Sequence, residues 1–270
     1  MTNANGPTYR LGASVLGHYA ERDPNRWPSM ADAVRSIASV ERGFGVEVWA
    51  AKAVDGPPID GPGLDRLIEA CRDAAFVTAH IRGTFWHWNP VDLRTEIDFA
   101  ARVGASSLVL HPICLGLRDP DDRLDVPEIR RIADYAATRG VVLALENVEN
   151  SMTVLDRVLD EIGDRPDRTN LALCIDIGHA HLSTDAGREP VINYVERYAG
   201  PLIHLHLHDN SGTGDDHLIP GRGTIDWPRL LDTLDRIGFS GTAVLELQGE
   251  EPEPLAAIEE GLLHLRAARR

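Results

Sequence analysis

Eight short apolar runs, each ending in or just before a histidine or an acidic residue, constrain this chain more than any other feature. Six are plain: Phe76-Val-Thr-Ala-His80, Ser107-Leu-Val-Leu-His111, Val141-Val-Leu-Ala-Leu-Glu146, Leu171-Ala-Leu-Cys-Ile-Asp176, Leu202-Ile-His-Leu-His206 and Thr242-Ala-Val-Leu-Glu246. The first two runs, Leu11 to His18 and Val46-Glu47-Val48, carry weaker versions of the pattern. They recur roughly every 30 to 40 residues, the length of one strand–loop–helix–loop unit. Strands that end again and again in a ligand-type side chain describe a parallel barrel with its chemistry at one rim. In (β/α)8 barrels that rim is the C-terminal face.

The segments between the runs have helical spacing. Residues 31–40 follow Ser29, and Leu64-Asp-Arg-Leu-Ile-Glu-Ala-Cys71 is apolar at i, i+3, i+4 and i+7. Segments 97–103, 129–138, 154–162 and 227–237 each close at or just before a glycine, Gly104, Gly140, Gly163 and Gly238, as helix C-termini do. Segment 256–268 is the last. This alternation predicts an α/β fold, a single (β/α)8 TIM barrel with parallel strands and right-handed crossovers. It spans residues 1–270 as one domain, with 1–9 expected to be a flexible tail. Such a length is large for one ordinary core, yet a barrel of about 250 residues is one domain. The longest interval, 209–226 after the seventh run, is rich in Gly, Asp and Pro. A long loop at a catalytic rim is usually functional.

Composition removes several classes. No apolar run approaches the ~18 residues that span a membrane. Met1-Thr-Asn-Ala-Asn-Gly-Pro lacks the basic and apolar regions of a secretory signal. Cys71, Cys114 and Cys174 are too few and too scattered for a disulfide framework, so a cytoplasmic location is expected. The net charge of −15 is the reverse of what a protein tracking a phosphate backbone shows, which disfavours nucleic acid as a partner. The oligomeric state is not legible.

Strand periodicity sorts the terminal residues by face, because successive side chains alternate. His204, His206 and His208 share one face of the seventh run, and Leu205 and Leu207 the other. Glu146 falls in with Ala144 and Val142, Asp176 with Cys174, and Glu246 with Val244. With leucines packed outward on helices, every candidate ligand points into the barrel. A buried, unpaired carboxylate is very costly. Three converging there require a cation, so Glu146, Asp176, His206 and Glu246 are expected to hold a divalent metal ion. This donor set suits Mn²⁺, Zn²⁺, Mg²⁺ or Co²⁺ alike.

Five motifs together resemble the xylose-isomerase-like TIM-barrel superfamily: Leu145-Glu146-Asn147, Asp176-Ile-Gly-His179-Ala-His181, His206-Leu-His-Asp209, Asp215-Asp-His217-Leu-Ile-Pro-Gly-Arg-Gly223 and Leu245-Glu246. That group holds sugar and sugar-phosphate isomerases and epimerases, inosose-handling enzymes and metal-dependent apurinic-site endonucleases. The resemblance implies a metal-dependent isomerase or epimerase of a sugar, sugar phosphate or polyol. Glu146 and Glu246 are then the catalytic acid–base pair, working through an enediolate. Its alternative implication is an endonuclease-IV-like apurinic-site phosphodiesterase with a trinuclear zinc site. Carried over residue by residue, the first ion takes His80, His111 and Glu146. The second takes Glu146, Asp176, His206 and Glu246, and the third His179, Asp215 and His217. One to three ions per chain are therefore expected. The chain departs from the endonuclease pattern after His80, where Ile81-Arg82-Gly83 has no aromatic residue. A non-catalytic subunit that keeps the barrel is disfavoured by the complete ligand set.

On the isomerase reading, His179, Arg222, Trp86 and His18 are expected to contact substrate. Trp86 does so within Phe85-Trp86-His87-Trp88, as an apolar wall over a sugar ring, and Arg222 within a Gly221-Arg222-Gly223 turn that can hold a phosphate. Glu47 either reaches the rim or pairs with an arginine. His181 is expected to support His179, and His208 and Asp209, which continue the seventh run, to support the ligands rather than to ligate. His87 and His264 read as surface residues.

Overall fold

The computed structural model describes residues 7–15, 29–49, 61–81, 90–117, 121–148, 151–248 and 254–269. Eight strands close in sequence order into an all-parallel barrel: β1 (Arg10–Ser14), β2 (Gly45–Trp49), β3 (Val77–His80), β4 (Ser107–Leu110), β5 (Val142–Glu146), β6 (Leu171–Asp176), β7 (Leu202–Leu207) and β8 (Thr242–Leu245). β1 pairs with both β2 and β8, which closes the ring. The connecting helices are α1 (Met30–Ala38), α2 (Gly61–Cys71), α3 (Pro90–Val103), α4 (Val126–Thr138), α5 (Met152–Ile162), α6 (Pro166–Thr169), α7 (Ile177–Leu182), α8 (Pro190–Arg197), α9 (Trp227–Arg236) and α10 (Pro254–Ala268). This is the expected (β/α)8 barrel. Among the described residues, no helix is long and apolar enough to cross a membrane.

The alternation read from the sequence sets the layers. Outward strand residues Val46, Val48, Leu108, Leu110, Leu143, Leu145, Leu173, Ile175, Leu205 and Leu207 share one core with Ile37, Leu67, Ile97, Ile132, Leu155 and Leu234 of the helices. Each such side chain contributes roughly 1.5–3 kcal/mol by leaving water. Inside the ring the filling is different. Val109, Ala144 and Cys174 make a small separate apolar cluster. Glu47, Thr78, His204, His206 and Thr242 are buried polar groups.

Helix ends follow local chemistry. Ser29 caps α1 through its Oγ on the Asp32 N–H, and Asp125 caps α4 through the Glu128 N–H. Helix α7 was not legible, for a physical reason. Asp176 is read as a ligand, yet the same carboxylate accepts the His179 N–H at 2.7 Å and starts α7. The capping signal and the ligand signal are one residue.

Register builds the rim. Asp176 pairs with His206, whereas Glu146 pairs with Cys174 and His206 with Val244. The stagger between neighbouring strands is what a tilted, closed barrel requires. It brings the ends of β5 to β8 to one place.

Candidate metal centre

Glu146 ends β5, Asp176 ends β6, His206 sits within β7, and Glu246 follows β8. All four are buried. His206 Nδ1 lies 3.1 Å from Glu146 Oε1, 3.2 Å from Glu246 Oε2 and 3.6 Å from Asp176 Oδ2. One ligand atom from each residue lies within 4.8 Å of the others. Among the described residues, the charged partners of these carboxylates are histidines alone. Three buried carboxylate oxygens around one imidazole nitrogen fit a divalent cation, which balances charge that no lysine or arginine among the described residues offsets.

Two further groups share edges with the first. His80 ends β3, and His111 follows β4. Both place Nε2 3.1 Å from Glu146 Oε2. The two oxygens of Glu146 therefore face different groups, Oε1 toward His206 and Oε2 toward His80 and His111. On the other flank, His179 Nε2 and His217 Nε2 lie 3.2 and 3.1 Å from the same oxygen of Asp215. His179 Nδ1 is 3.6 Å from both Glu146 Oε1 and Asp176 Oδ1. His217 has φ +46°, a left-handed conformation uncommon outside glycine. It places Nδ1 2.9 Å from the Glu246 carbonyl. His80–His111–Glu146 and His179–Asp215–His217 are thus each a compact candidate ligand group.

Proximity drives the charge states. Burial disfavours ionised Glu146, but His206 and His111 override it and hold the carboxyl well below its ordinary range. Asp176 is likewise opposed by burial, then lowered by His179 and His208. Glu246 is lowered by His206 and His217 against burial. The histidines move the other way. Burial disfavours charged His206, yet Cys174 and the carboxylates of Glu246, Glu47 and Glu146 raise it well above its usual value. His217 is opposed by burial and pushed up to about 9 by Asp215 and Glu246.

Several supporting residues come into view here. Asn147 donates to the Asp176 carbonyl at 3.0 Å and accepts the Asp176 N–H at 2.7 Å, stitching β5 to β6 beside two ligands. Its place directly after Glu146 was the available signal. Trp49, on the same parity as Glu47, stacks on His80 with ring centres 4.1 Å apart. His208 Nε2 meets both Asp176 oxygens at 3.0 and 3.1 Å, the supporting role expected of it. Asp209 supports the long loop. Its carboxylate accepts N–H groups of Asn210, Gly221, Ile225 and the Trp227 indole.

Other expectations meet different partners. Among the described residues, Glu47 pairs with no arginine and sits below the rim. It is buried beside His204, His206 and Thr78. His181 Nε2 faces Thr224 Oγ1 at 2.9 Å, not His179. Arg222 forks onto Glu260 of α10, with both bonds at 2.8 Å, so the structure does not bring it into the ligand cluster. The Gly221 N–H is already bonded to Asp209. A Cβ at Gly223 would fall 2.2 Å from Asp209 Oδ1. These glycines answer to a close-packed turn. His264 is exposed beside Glu260, as expected. His18, Trp86 and His87 lie outside the described residues.

Known proteins place the chain. The family profile described as xylose isomerase-like TIM barrel matches residues 40–268. An uncharacterized protein of Methanocaldococcus jannaschii is 33% identical over 121 residues, 44% of this chain and 41% of that protein. A fructoselysine 3-epimerase of Shigella flexneri is 27% identical over 164 residues, 57% of each chain. Matched stretches cover between 41% and 63% of the lengths of the first four relatives. Among solved structures, an L-ribulose 3-epimerase superposes with a TM-score of 0.70 at 16% identity, covering 97% of this chain and 96% of that one. At that identity the likeness is one of fold.

Proposed function

The chain belongs to the xylose isomerase-like TIM barrel family, and on that premise we propose that it is a divalent-metal-dependent isomerase or epimerase of a sugar, sugar phosphate or related polyol. The observation that carries this reading is the buried group of Glu146, Asp176, His206 and Glu246, with two glutamates among its donors. The relative that is a fructoselysine 3-epimerase supports the substrate class.

All four residues would hold the ion, with Asp176 and His206 serving in that role alone. Bound there, a divalent ion supplies Lewis acidity, lowering the cost of removing a proton beside a carbonyl and of the charge that develops on oxygen. Glu146 and Glu246 do the proton transfer. Both carboxyls are held in the ionised form, so either can begin as the base. One takes the proton from the carbon, leaving an enediolate. The other, once it has taken up a proton from solvent, gives that proton to the opposite face or to the adjacent carbon, and the first releases its own to solvent. His179, the least enclosed of the histidines around Asp176, would orient a substrate hydroxyl. The test is proton exchange: in D₂O, with a panel of ketoses, aldoses and their phosphates, the protein should wash deuterium into the carbon beside the carbonyl of its substrate.

One observation favours a second reading, a phosphodiesterase of the apurinic-site type. The His80–His111–Glu146 and His179–Asp215–His217 groups are both compact enough to take ions. If both are filled, protein saturated with Zn²⁺ should contain about three ions by elemental analysis. A count near one would assign those residues to the substrate and strengthen the isomerase reading. Cleavage of DNA with an abasic site, without exchange into any sugar, would establish the phosphodiesterase. The charge of −15 and Ile81 after His80 weigh against it.

Protons and metal compete for His206. Its pKa is raised by the carboxylates around it, and coordination requires the deprotonated nitrogen. Below that raised pKa, binding must expel a proton, so affinity rises with pH by roughly tenfold per unit for each proton displaced. Calorimetric titration with Zn²⁺ at several pH values should show weaker binding as pH falls. A Kd independent of pH through neutrality would remove His206 from the ligand set.

A further inference from the structure

Below the candidate ligands lies a chain of buried polar groups that the proposed reaction does not use. Glu47 of β2 is fully enclosed. Its Oε2 accepts the Thr78 hydroxyl at 3.1 Å and faces His204 Nε2 at 3.0 Å. The far nitrogen of His204, Nδ1, lies 2.6 Å from Thr242 Oγ1. The other Glu47 oxygen, Oε1, faces His206 Nε2 at 3.3 Å, an ion-pair distance. Neither of those two buried atoms makes a hydrogen bond to any described group, each other included, so each is left to the other as its nearest unsatisfied partner.

Donor and acceptor bookkeeping fixes the protons along this chain. An ionised carboxylate only accepts. His204 must therefore donate from Nε2 to Glu47, and its Nδ1 must accept from the Thr242 hydroxyl. Thr78 also donates to Glu47. One carboxylate oxygen then remains, aimed at His206 Nε2, and it demands a proton there. With Nε2 protonated, a neutral His206 keeps its lone pair on Nδ1, the atom that faces Glu146, Glu246 and Asp176.

We propose that Glu47 is a positioning residue that selects the His206 tautomer with Nε2 protonated, so that Nδ1 is presented to the metal ion. The inference rests on the metal-binding part of the proposed function. It assigns the His204–Thr242 and Thr78 contacts a purpose: they hold Glu47 in the orientation that leaves Oε1 for His206. Partners of this kind on the non-ligating nitrogen of a metal-binding histidine typically change metal affinity by 10–100-fold.

Glu47→Gln separates this from a role in packing, because the side chain keeps its shape. If the amide oxygen stays on Thr78 and His204, the amide NH₂ faces His206 Nε2 and favours the wrong tautomer. If the amide turns over, NH₂ opposes the His204 N–H. Either way one imidazole must give up the tautomer it holds beside Glu47. The expected result is a Zn²⁺ Kd weakened about 10- to 100-fold, with far-ultraviolet circular dichroism unchanged. Nitrogen-15 histidine spectra of the Zn²⁺-loaded wild type should show His206 protonated at Nε2 and coordinated through Nδ1, with slow exchange of that proton. The wild-type spectrum decides the matter even if the variant fails to fold. Coordination through Nε2, or an unchanged Kd in a folded Glu47→Gln protein, overturns the inference while leaving the metal site intact. Wild-type protein that binds no Zn²⁺ overturns the metal reading and this one with it.

Discussion

Glu146→Gln and Glu246→Gln should each abolish exchange of carbon-bound hydrogen with solvent, by about 10³-fold or more. Both residues are asked to do two things, and the experiment can tell them apart. As ligands they contribute carboxylate oxygens to a group with His206 Nδ1 at 3.1 and 3.2 Å. As acid–base groups they must gain and lose a proton, which an amide cannot do at neutral pH. Losing a charged donor weakens Zn²⁺ binding, and excess metal can restore occupancy. Excess metal cannot restore the proton transfer. Exchange in either variant should therefore stay near background when elemental analysis shows full metal content. Asp176→Asn is the comparison: it weakens binding, but activity should recover substantially once metal is replenished. A Glu246→Gln protein with full metal content and wild-type exchange would end the assignment of Glu246 as an acid–base residue.

What could be read from the sequence was what depends on neighbours along the chain. Alternation within β7 separated His204, His206 and His208 from Leu205 and Leu207, and the structure sorts them the same way. The ends of β3 to β8 supplied the candidate ligands because a strand of a parallel barrel has only one end at the chemical rim. What could not be read depends on register between distant strands. Glu47 meets His204, a partner 157 positions away, and nothing near Val46-Glu47-Val48 announces a histidine. Arg222 looked like an anion-binding residue because of its flanking glycines, yet those glycines serve the turn around Asp209, and its guanidinium meets Glu260 on α10. Helix α7 was hidden because its capping residue, Asp176, was already claimed as a ligand.

Asp209→Ala should be the most destabilising single change in the long loop. The Asp209 carboxylate is fully buried and accepts four N–H groups, from Asn210 at 3.0 Å, Gly221 at 2.8 Å, Ile225 at 3.2 Å and the Trp227 indole at 2.7 Å. Alanine leaves all four without an acceptor. Each buried, unsatisfied donor costs about 1–3 kcal/mol, and partial relaxation of the loop keeps the total below their sum, at about 4 kcal/mol. For a chain of this size that corresponds to a fall in Tm of roughly 10 °C. Asp209→Asn should cost about half as much, since its carbonyl oxygen still serves one pair of donors while its NH₂ opposes the other. The site should also feel the loss. Asp209 pairs with Leu218 through both backbone hydrogen bonds, and His217, the residue just before Leu218, holds its strained left-handed conformation between that pairing and the Glu246 carbonyl. Loosening the loop should release His217 and Asp215 first. If the His179–Asp215–His217 group holds Zn²⁺, that ion should be lost before the one at His206. An Asp209→Ala protein that melts within a degree or two of wild type, with unchanged Zn²⁺ content, would show that the loop is held by something other than this carboxylate.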